Sequence, residues 1–117
     1  MIKKYIIESI EFDGLWFPIL HRREVKATCL EGALEAVVCE LGYYDLDDIE
    51  RLKEDCAEEF GYSKNSNEFL ALVYNQLLDE QYAKERILKG YLNKRKVFDI
   101  IITQEEWLWE CIRDFNL

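Results

Sequence analysis

The chain has 117 residues, of which half are apolar and 14% are aromatic, and its 24 acidic and 15 basic residues give a formal charge of −9. This apolar content excludes a disordered acidic tail, and the length predicts a single compact domain over residues 1–117. No run of about 18 apolar residues is present, so we expect no membrane-spanning segment and no membrane partner.

Two strands are predicted near the N-terminus. Residues 3–12 alternate loosely between apolar and polar side chains, and a turn signal follows them at Asp13-Gly14. Residues 22–28 alternate again, so the simplest prediction is a hairpin. Because Pro18 has no N–H to donate, the apolar run that contains it is expected at a sheet edge or at a bulge.

Three helices are predicted next, and they end at Leu41, at about Phe60 and at Gly90. The first is opened by a capping box, in which the side chains of Thr28 and Glu31 satisfy free backbone N–H groups. Asp45 is the expected cap of the second helix, and Asn65 or Ser66 is the expected cap of the third, which is predicted to have roughly six turns.

The C-terminal part is predicted to contain a third strand over residues 97–102 and a fourth helix that starts at a second capping box, residues 103–106. The predicted order is therefore β-β-α-α-α-β-α. This order predicts an α+β fold with a small, about three-stranded and mainly antiparallel sheet on which four helices pack.

The acidic residues are concentrated in residues 29–62, where eleven acidic and two basic residues give a net charge of −9. On a helical wheel of the second helix, one arc is apolar and consists of Ile49, Leu52, Cys56 and Phe60. The other half, interrupted only by Arg51, consists of Asp47, Asp48, Glu50, Glu54, Asp55, Glu58 and Glu59, with Asp45 at its N-terminal end. One carboxylate per ~3 Å of helix is close to the ~3.4 Å between phosphates along a DNA strand.

This charged half-face favours a protein that imitates a nucleic acid. A preformed polyanion can bind the basic, nucleic-acid-binding surface of another protein in place of phosphates. Tyr43 and Tyr44 lie at one end of the helix and Tyr62 at the other, where they can act as anchors of an interface. We therefore expect a stoichiometric inhibitor with a basic protein partner, no catalytic residues and no direct contact with nucleic acid. The alternative is an ordinary solvated helix face.

A short, acidic, helix-rich chain of this composition resembles three functional groups of proteins. They are phage-encoded inhibitors of host defence such as anti-CRISPR proteins, immunity proteins of nuclease toxins, and acidic antitoxins. The resemblance implies a stoichiometric inhibitor that occupies a basic nucleic-acid site, and the phage inhibitor is the preferred of the three.

A structural or adaptor protein, with the possibility of a homodimer, is the main alternative. Gly32, Ala36 and Cys39 form a stripe of small residues on the first helix, and such a stripe permits close approach of another chain. Trp109 lies outside the apolar arc of the last helix. Packing against the hairpin is the preferred interpretation, and the alternative is an exposed tryptophan, which is typical of interfaces. A basic cluster within residues 84–96 is interpreted as charge that complements a helix C-terminus.

The best catalytic pattern is Asp13 followed by Glu24 and Lys26. It resembles the Asp…Glu-x-Lys metal site of one nuclease superfamily, which implies two carboxylates on Mg²⁺ and a lysine beside the attacking water. A cross-strand ion pair between Glu24 and Lys26 is the preferred interpretation. His21 has no partner near it in sequence and is expected at the surface or in a hairpin turn.

The four cysteines, Cys29, Cys39, Cys56 and Cys111, contain no Cys-x-x-Cys pair and none lies near His21 in sequence. This spacing disfavours a zinc site, so we expect no metal and no cofactor. Four unpaired thiols in a domain with a full core are typical of a reducing compartment, so we expect a cytoplasmic protein.

Overall fold

The computed structural model describes residues 1–11, 18–42, 47–59, 66–81 and 83–100, with the backbone alone at 47, 48 and 57–59. Its elements are β1 (Lys3–Glu11), β2 (Ile19–Ala27), α1 (Leu30–Glu40), α2 (Asp47–Glu59), α3 (Asn67–Glu80), β3 (Glu85–Leu92) and β4 (Arg95–Asp99). No helix in these ranges is long and apolar enough to cross a membrane.

The strands form one four-stranded sheet in the order β2-β1-β3-β4, with every neighbouring pair antiparallel. The α+β class is therefore confirmed, whereas the prediction of three strands is wrong by one. The hairpin of β1 and β2 pairs Lys3 with Ala27 at one end and Glu11 with Ile19 at the other. Pro18 directly precedes β2, which is an edge strand, as expected for a residue that cannot donate to a neighbouring strand.

The described helices lie in two layers over one face of the sheet. α1 packs on β1 and β2, α3 packs on β3 and β4, and α2 packs on α3. The core between sheet and helices includes Ile7, Leu34, Tyr74, Ile87 and Phe98, all almost completely buried. α2 thus forms an outer layer, and the other described elements separate it from the sheet.

The prediction of a long third helix ending at Gly90 is wrong, because α3 ends at Glu80 and residues 85–92 form β3. The spacing of Leu77, Lys84 and Leu88 fits a helix, but Lys84 would have put a charge on the apolar face. A Cβ on Gly90 would clash with the ring of Phe98 on β4, so glycine permits this close approach between strand and ring.

A two-residue turn missed by the sequence analysis connects β3 to β4. Asn93 and Lys94 both have positive φ, 52° and 64°, which is the backbone of a type I′ hairpin turn and is tolerated well by asparagine. The predicted third strand over 97–102 is therefore β4, which begins at Arg95 and ends at Asp99.

The helix termini agree with the predictions in part. Ser66 is the N-cap of α3, and its Oγ accepts a hydrogen bond from the Phe69 N–H at 3.1 Å. The capping box at Thr28 is wrong, because Cys29 is the N-cap of α1 and makes no side-chain cap hydrogen bond. Gly42 has a φ of 85° directly after the last turn, as expected for a helix stop. The predicted helix after residue 102 lies outside the described residues.

Candidate functional site

The apolar side of α2 faces α3, as the helical wheel predicts. Ile49, Leu52 and Cys56 are at most 3% exposed and belong to the core. The opposite side of the helix therefore faces away from the protein, and Glu50, Glu54 and Asp55 are exposed there. We call Glu50, Glu54 and Asp55 the acidic surface of α2.

The two basic residues of α2 both lie between carboxylates. Lys53 Nζ is 2.6 Å from a carboxylate oxygen of Glu31 on α1 and 3.3 Å from one of Glu50. Partial burial disfavours the charged amine, but hydrogen bonds and Coulomb attraction to these carboxylates outweigh this cost and raise the pKa of Lys53. The Lys53 ammonium is therefore held between the carboxylates of Glu31 and Glu50.

Arg51 makes the equivalent connection on the side of α3. Its guanidinium nitrogens lie 3.2 Å from Asp55 and 3.1 Å from Glu80 at the end of α3. Each basic residue of α2 thus also contacts a carboxylate of a neighbouring helix. The negative region therefore extends beyond α2 to Glu31 and Glu80.

The remaining predicted interface residues are only partly located. Asp47, Asp48, Glu58 and Glu59 lie on the backbone of α2, and their side chains lie outside the described part of the structure. The same is true of four further residues in their entirety: Tyr43, Tyr44, Asp45 and Tyr62. The tyrosine anchors therefore stay a prediction.

The stripe of small residues on α1 is not uniformly accessible. Ala36 is exposed, but Gly32 and Cys39 are half-buried, and a Cβ on Gly32 would contact Ala27 of β2 at 3.5 Å. Burial, together with the nearby charge of Glu35, raises the pKa of the Cys39 thiol. The stripe therefore faces the sheet in part. Trp109, the other secondary candidate, lies outside the described residues.

The structure locates only two of the three residues of the nuclease pattern, Glu24 and Lys26. Glu24 pairs with Lys4 on β1, with Nζ and Oε1 separated by 3.1 Å, and both Glu24 and Lys26 are exposed on β2. The preferred ion pair of Glu24 is thus with Lys4 and not with Lys26, because Lys4 is diagonally opposite on the neighbouring strand. Asp13 lies outside the described residues.

The basic cluster begins directly before β3 and continues along β3, β4 and the turn between them, so its interpretation as helix C-terminal charge is wrong. Arg86 binds Asp79 at 2.6 Å, and Lys96 binds Asp99 at 2.9 Å. The hydrogen bond between Lys96 and Asp99 raises the pKa of the lysine and lowers the pKa of the aspartate.

A second polar site, missed by the sequence analysis, lies at one end of the sheet on the face covered by helices. Strand register places its members together, because Glu11 is opposite Glu85 on β3, and Ser9 is opposite His21 on β2. Arg23 is two residues from His21 and therefore points to the same face. We call Ser9, Glu11, His21, Arg23 and Glu85 the polar cluster.

Glu85 is the centre of the polar cluster. It is 4% exposed, and its Oε2 accepts hydrogen bonds from Ser9 at 2.8 Å and from Arg23 at 2.6 Å. Its Oε1 lies 3.5 Å from His21 Nε2, which is also 2.6 Å from Glu11 Oε1. A buried carboxylate is stable only when it is paired in this way.

The polar cluster corrects the prediction that His21 is an isolated surface residue. His21 is half-buried on β2 and has carboxylates of β1 and β3 beside it. Ser9 is completely buried and hydrogen-bonded to Glu85 and Arg23, so it has no exposed oxygen with which to attack a substrate. The arrangement is suited to holding a cation.

No known protein family, curated protein or solved structure matches this chain. Function therefore has to be inferred from the two sites alone, the acidic surface of α2 and the polar cluster.

Proposed function

We propose that this protein is a stoichiometric inhibitor that binds a basic, nucleic-acid-binding surface of another protein through α2. The observation that carries the proposal is the orientation of this helix. It packs on α3 through Leu52 and its neighbours and presents Glu50, Glu54 and Asp55 outwards. The helix is thereby formed and oriented by the fold before any partner binds.

The acidic residues of α2 greatly outnumber its basic residues, so the helix resembles a polyanion more than an ordinary surface of mixed charge. The 13 residues of the helix contain seven carboxylates and two cations, and soluble surfaces ordinarily intersperse the two signs. Because Arg51 and Lys53 each contact a carboxylate of another helix as well, they do not cancel the excess on α2. A basic partner can bind these carboxylates in place of phosphates, and long-range electrostatic attraction increases the association rate.

The preferred setting is a phage-encoded inhibitor of a host defence nuclease, such as an anti-CRISPR protein. An immunity protein or antitoxin of a nuclease toxin would use the same surface chemistry. The identity of the retained partner separates these settings, since a defence effector supports the first and a toxin supports the second.

The test is a capture experiment at low salt with matched variants. We expect the wild-type chain to retain a basic protein from a host lysate, and a duplex DNA or RNA oligonucleotide to displace that protein. Retention should fall steeply from roughly 50 to 500 mM salt, because surface charge interactions are screened. Substituting Glu50→Gln and Glu54→Gln together should weaken binding at least tenfold.

The control is the double variant Glu24→Gln and Asp99→Asn. It removes the same charge, but from the sheet face opposite to the helices, so partner binding should be unchanged. If binding is insensitive to salt and to the α2 substitutions, the inhibitor proposal is wrong and a structural or adaptor role is favoured.

A further inference from the structure

We propose that Glu11, His21 and Glu85 bind a divalent transition-metal ion. The three side chains come from three adjacent strands, β1, β2 and β3, so the sheet holds them in fixed relative positions. Each offers one ligand atom, and these atoms all lie within 4.8 Å of one another. This site is separate from the acidic surface of α2 and does not depend on the inhibitor proposal.

The distances fit an ion with little rearrangement. Ligand atoms bound at about 2.0–2.2 Å in tetrahedral or octahedral geometry lie roughly 3–3.5 Å apart. The separation of His21 Nε2 and Glu85 Oε1 is already 3.5 Å, whereas that of His21 Nε2 and Glu11 Oε1 is 2.6 Å. The ion would therefore replace one hydrogen bond, and Glu11, at the end of β1 with 34% of its side chain exposed, has room to move.

The two oxygens of Glu85 have different roles. Oε2 accepts the short hydrogen bonds from Ser9 and Arg23, while Oε1 accepts a longer one, of 3.3 Å, from the other guanidinium nitrogen of Arg23 and lies 3.5 Å from His21 Nε2. The short contacts fix the carboxylate and leave Oε1 as the oxygen for the ion. Such partners behind a ligand orient it and typically raise metal affinity.

The charge of the surroundings also favours a cation. Arg23 lies between Glu85 and Glu40, with its Nε 3.2 Å from the latter. The guanidinium thus contacts two carboxylates, those of Glu40 and Glu85, and the third carboxylate of this group, that of Glu11, contacts His21. A neutral imidazole leaves this group net negative, and a divalent ion compensates the excess.

The donor set selects the type of ion. Imidazole suits Zn²⁺ and Fe²⁺, and carboxylates suit Mn²⁺ and Mg²⁺, so one imidazole with two carboxylates fits an ion that accepts both kinds of donor, such as Zn²⁺ or Mn²⁺. The side chains of His21 and Glu11 are each about one-third exposed, whereas the side chain of Glu85 is almost completely buried. Solvent thus reaches one side of the site and can complete the coordination.

The test uses His21 as an internal probe, because it is the only histidine of the chain. In the full-length, tag-free protein, Mn²⁺ should broaden the imidazole proton resonances and Zn²⁺ should shift them, at one ion per chain by calorimetry, with reversal by a chelator. Cysteine thiols also bind Zn²⁺, and Cys29 is exposed. The thiols are therefore alkylated before the Zn²⁺ titration.

Two variants and a control decide the result. Glu11→Gln and His21→Gln should each weaken Mn²⁺ binding at least tenfold, and both should remove the increase in melting temperature that a bound ion causes. Glu24→Gln, on the opposite face of β2, should bind as the wild type does. Without metal, the circular dichroism spectra of all variants should match that of the wild type.

Three outcomes would overturn the proposal. They are unaltered imidazole resonances at millimolar Mn²⁺, equal loss of binding in the Glu24→Gln control, and full binding by both the Glu11→Gln and the His21→Gln variants. In any of these cases the contacts of His21 with Glu11 and Glu85 are only an ion-pair network that supports the fold.

Discussion

Asn75 connects α3 to β3 through both groups of its side-chain amide. Its Oδ1 accepts a hydrogen bond from the Ile87 N–H at 2.7 Å, and its Nδ2 donates one to the Ile87 carbonyl at 2.9 Å. The side chain is buried, so these hydrogen bonds have no competing water. Asn75 therefore satisfies the backbone N–H and carbonyl of Ile87 as a neighbouring strand would.

Replacing Asn75 with leucine should therefore destabilise the protein strongly. The substitution leaves the N–H and the carbonyl of Ile87 without these hydrogen bonds, and each buried unsatisfied group costs about 1–3 kcal/mol. We expect a loss of ~2–5 kcal/mol in the free energy of unfolding, measured by urea denaturation. Asn67→Ala is the control, because its hydrogen bond to the Val97 carbonyl is exposed and its loss should cost less than about 1 kcal/mol.

At the scale of elements, α2 depends on few side chains for its position. Among the described residues, Ile49, Leu52 and Cys56 are its core members, and α3 is the element on which it packs. The helix carries no described contact with the sheet that would hold it if this interface weakened.

Leu52→Ala should loosen α2 more than any charge substitution on its outer side. Truncating a buried leucine costs about 2–5 kcal/mol, and Leu52 is 1% exposed. We expect a fall in melting temperature of at least ~8 °C in a calorimetric scan, together with faster amide exchange in α2. Leu20→Ala, at an exposed position on β2, should change the melting temperature by less than a third of that amount.

The elements differ in how far the sequence predicts them. α1 and α2 follow from apolar spacing, since their inward residues recur every three or four positions. β3 does not, because Leu77, Lys84 and Leu88 have helical spacing while Asn93 and Lys94 form a turn without the usual Asn-Gly signal. The polar cluster is harder still to predict from the sequence. Glu11 and Glu85 are neighbours only in the particular register of β1 and β3, which the sequence pattern does not define.

At the scale of the whole molecule, Tyr74 makes the free energy of unfolding depend on pH in the alkaline range. It lies on α3, is completely buried, and donates a hydrogen bond to Glu35 of α1 at 3.3 Å. Burial, with the negative charge of Glu35 and Glu31 as further causes, raises its pKa far above the ordinary value of 10.0. In the folded protein the hydroxyl therefore keeps its proton when an unfolded chain would lose it.

The sign of the pH effect follows from proton binding. Above about pH 10 the folded state binds more protons at Tyr74 than the unfolded state does, so the free energy of unfolding falls as pH rises. Below that pH Tyr74 is protonated in both states and contributes no pH dependence. Tyr74→Phe should flatten the decline between roughly pH 10 and 11.5 in urea denaturation, and an unchanged slope would mean that other groups cause it.

The placement of α2 in an outer layer separates two kinds of constraint on the sequence. The three inward side chains that the structure describes must preserve packing on α3, while Glu50 and Glu54 are exposed, and surface substitutions usually change stability by less than about 0.5 kcal/mol. Under the proposed inhibitor function, substitutions at Glu50 and Glu54 would change what α2 binds without disturbing the core. The same two positions are therefore the ones at which a binding surface can be redesigned with little effect on folding.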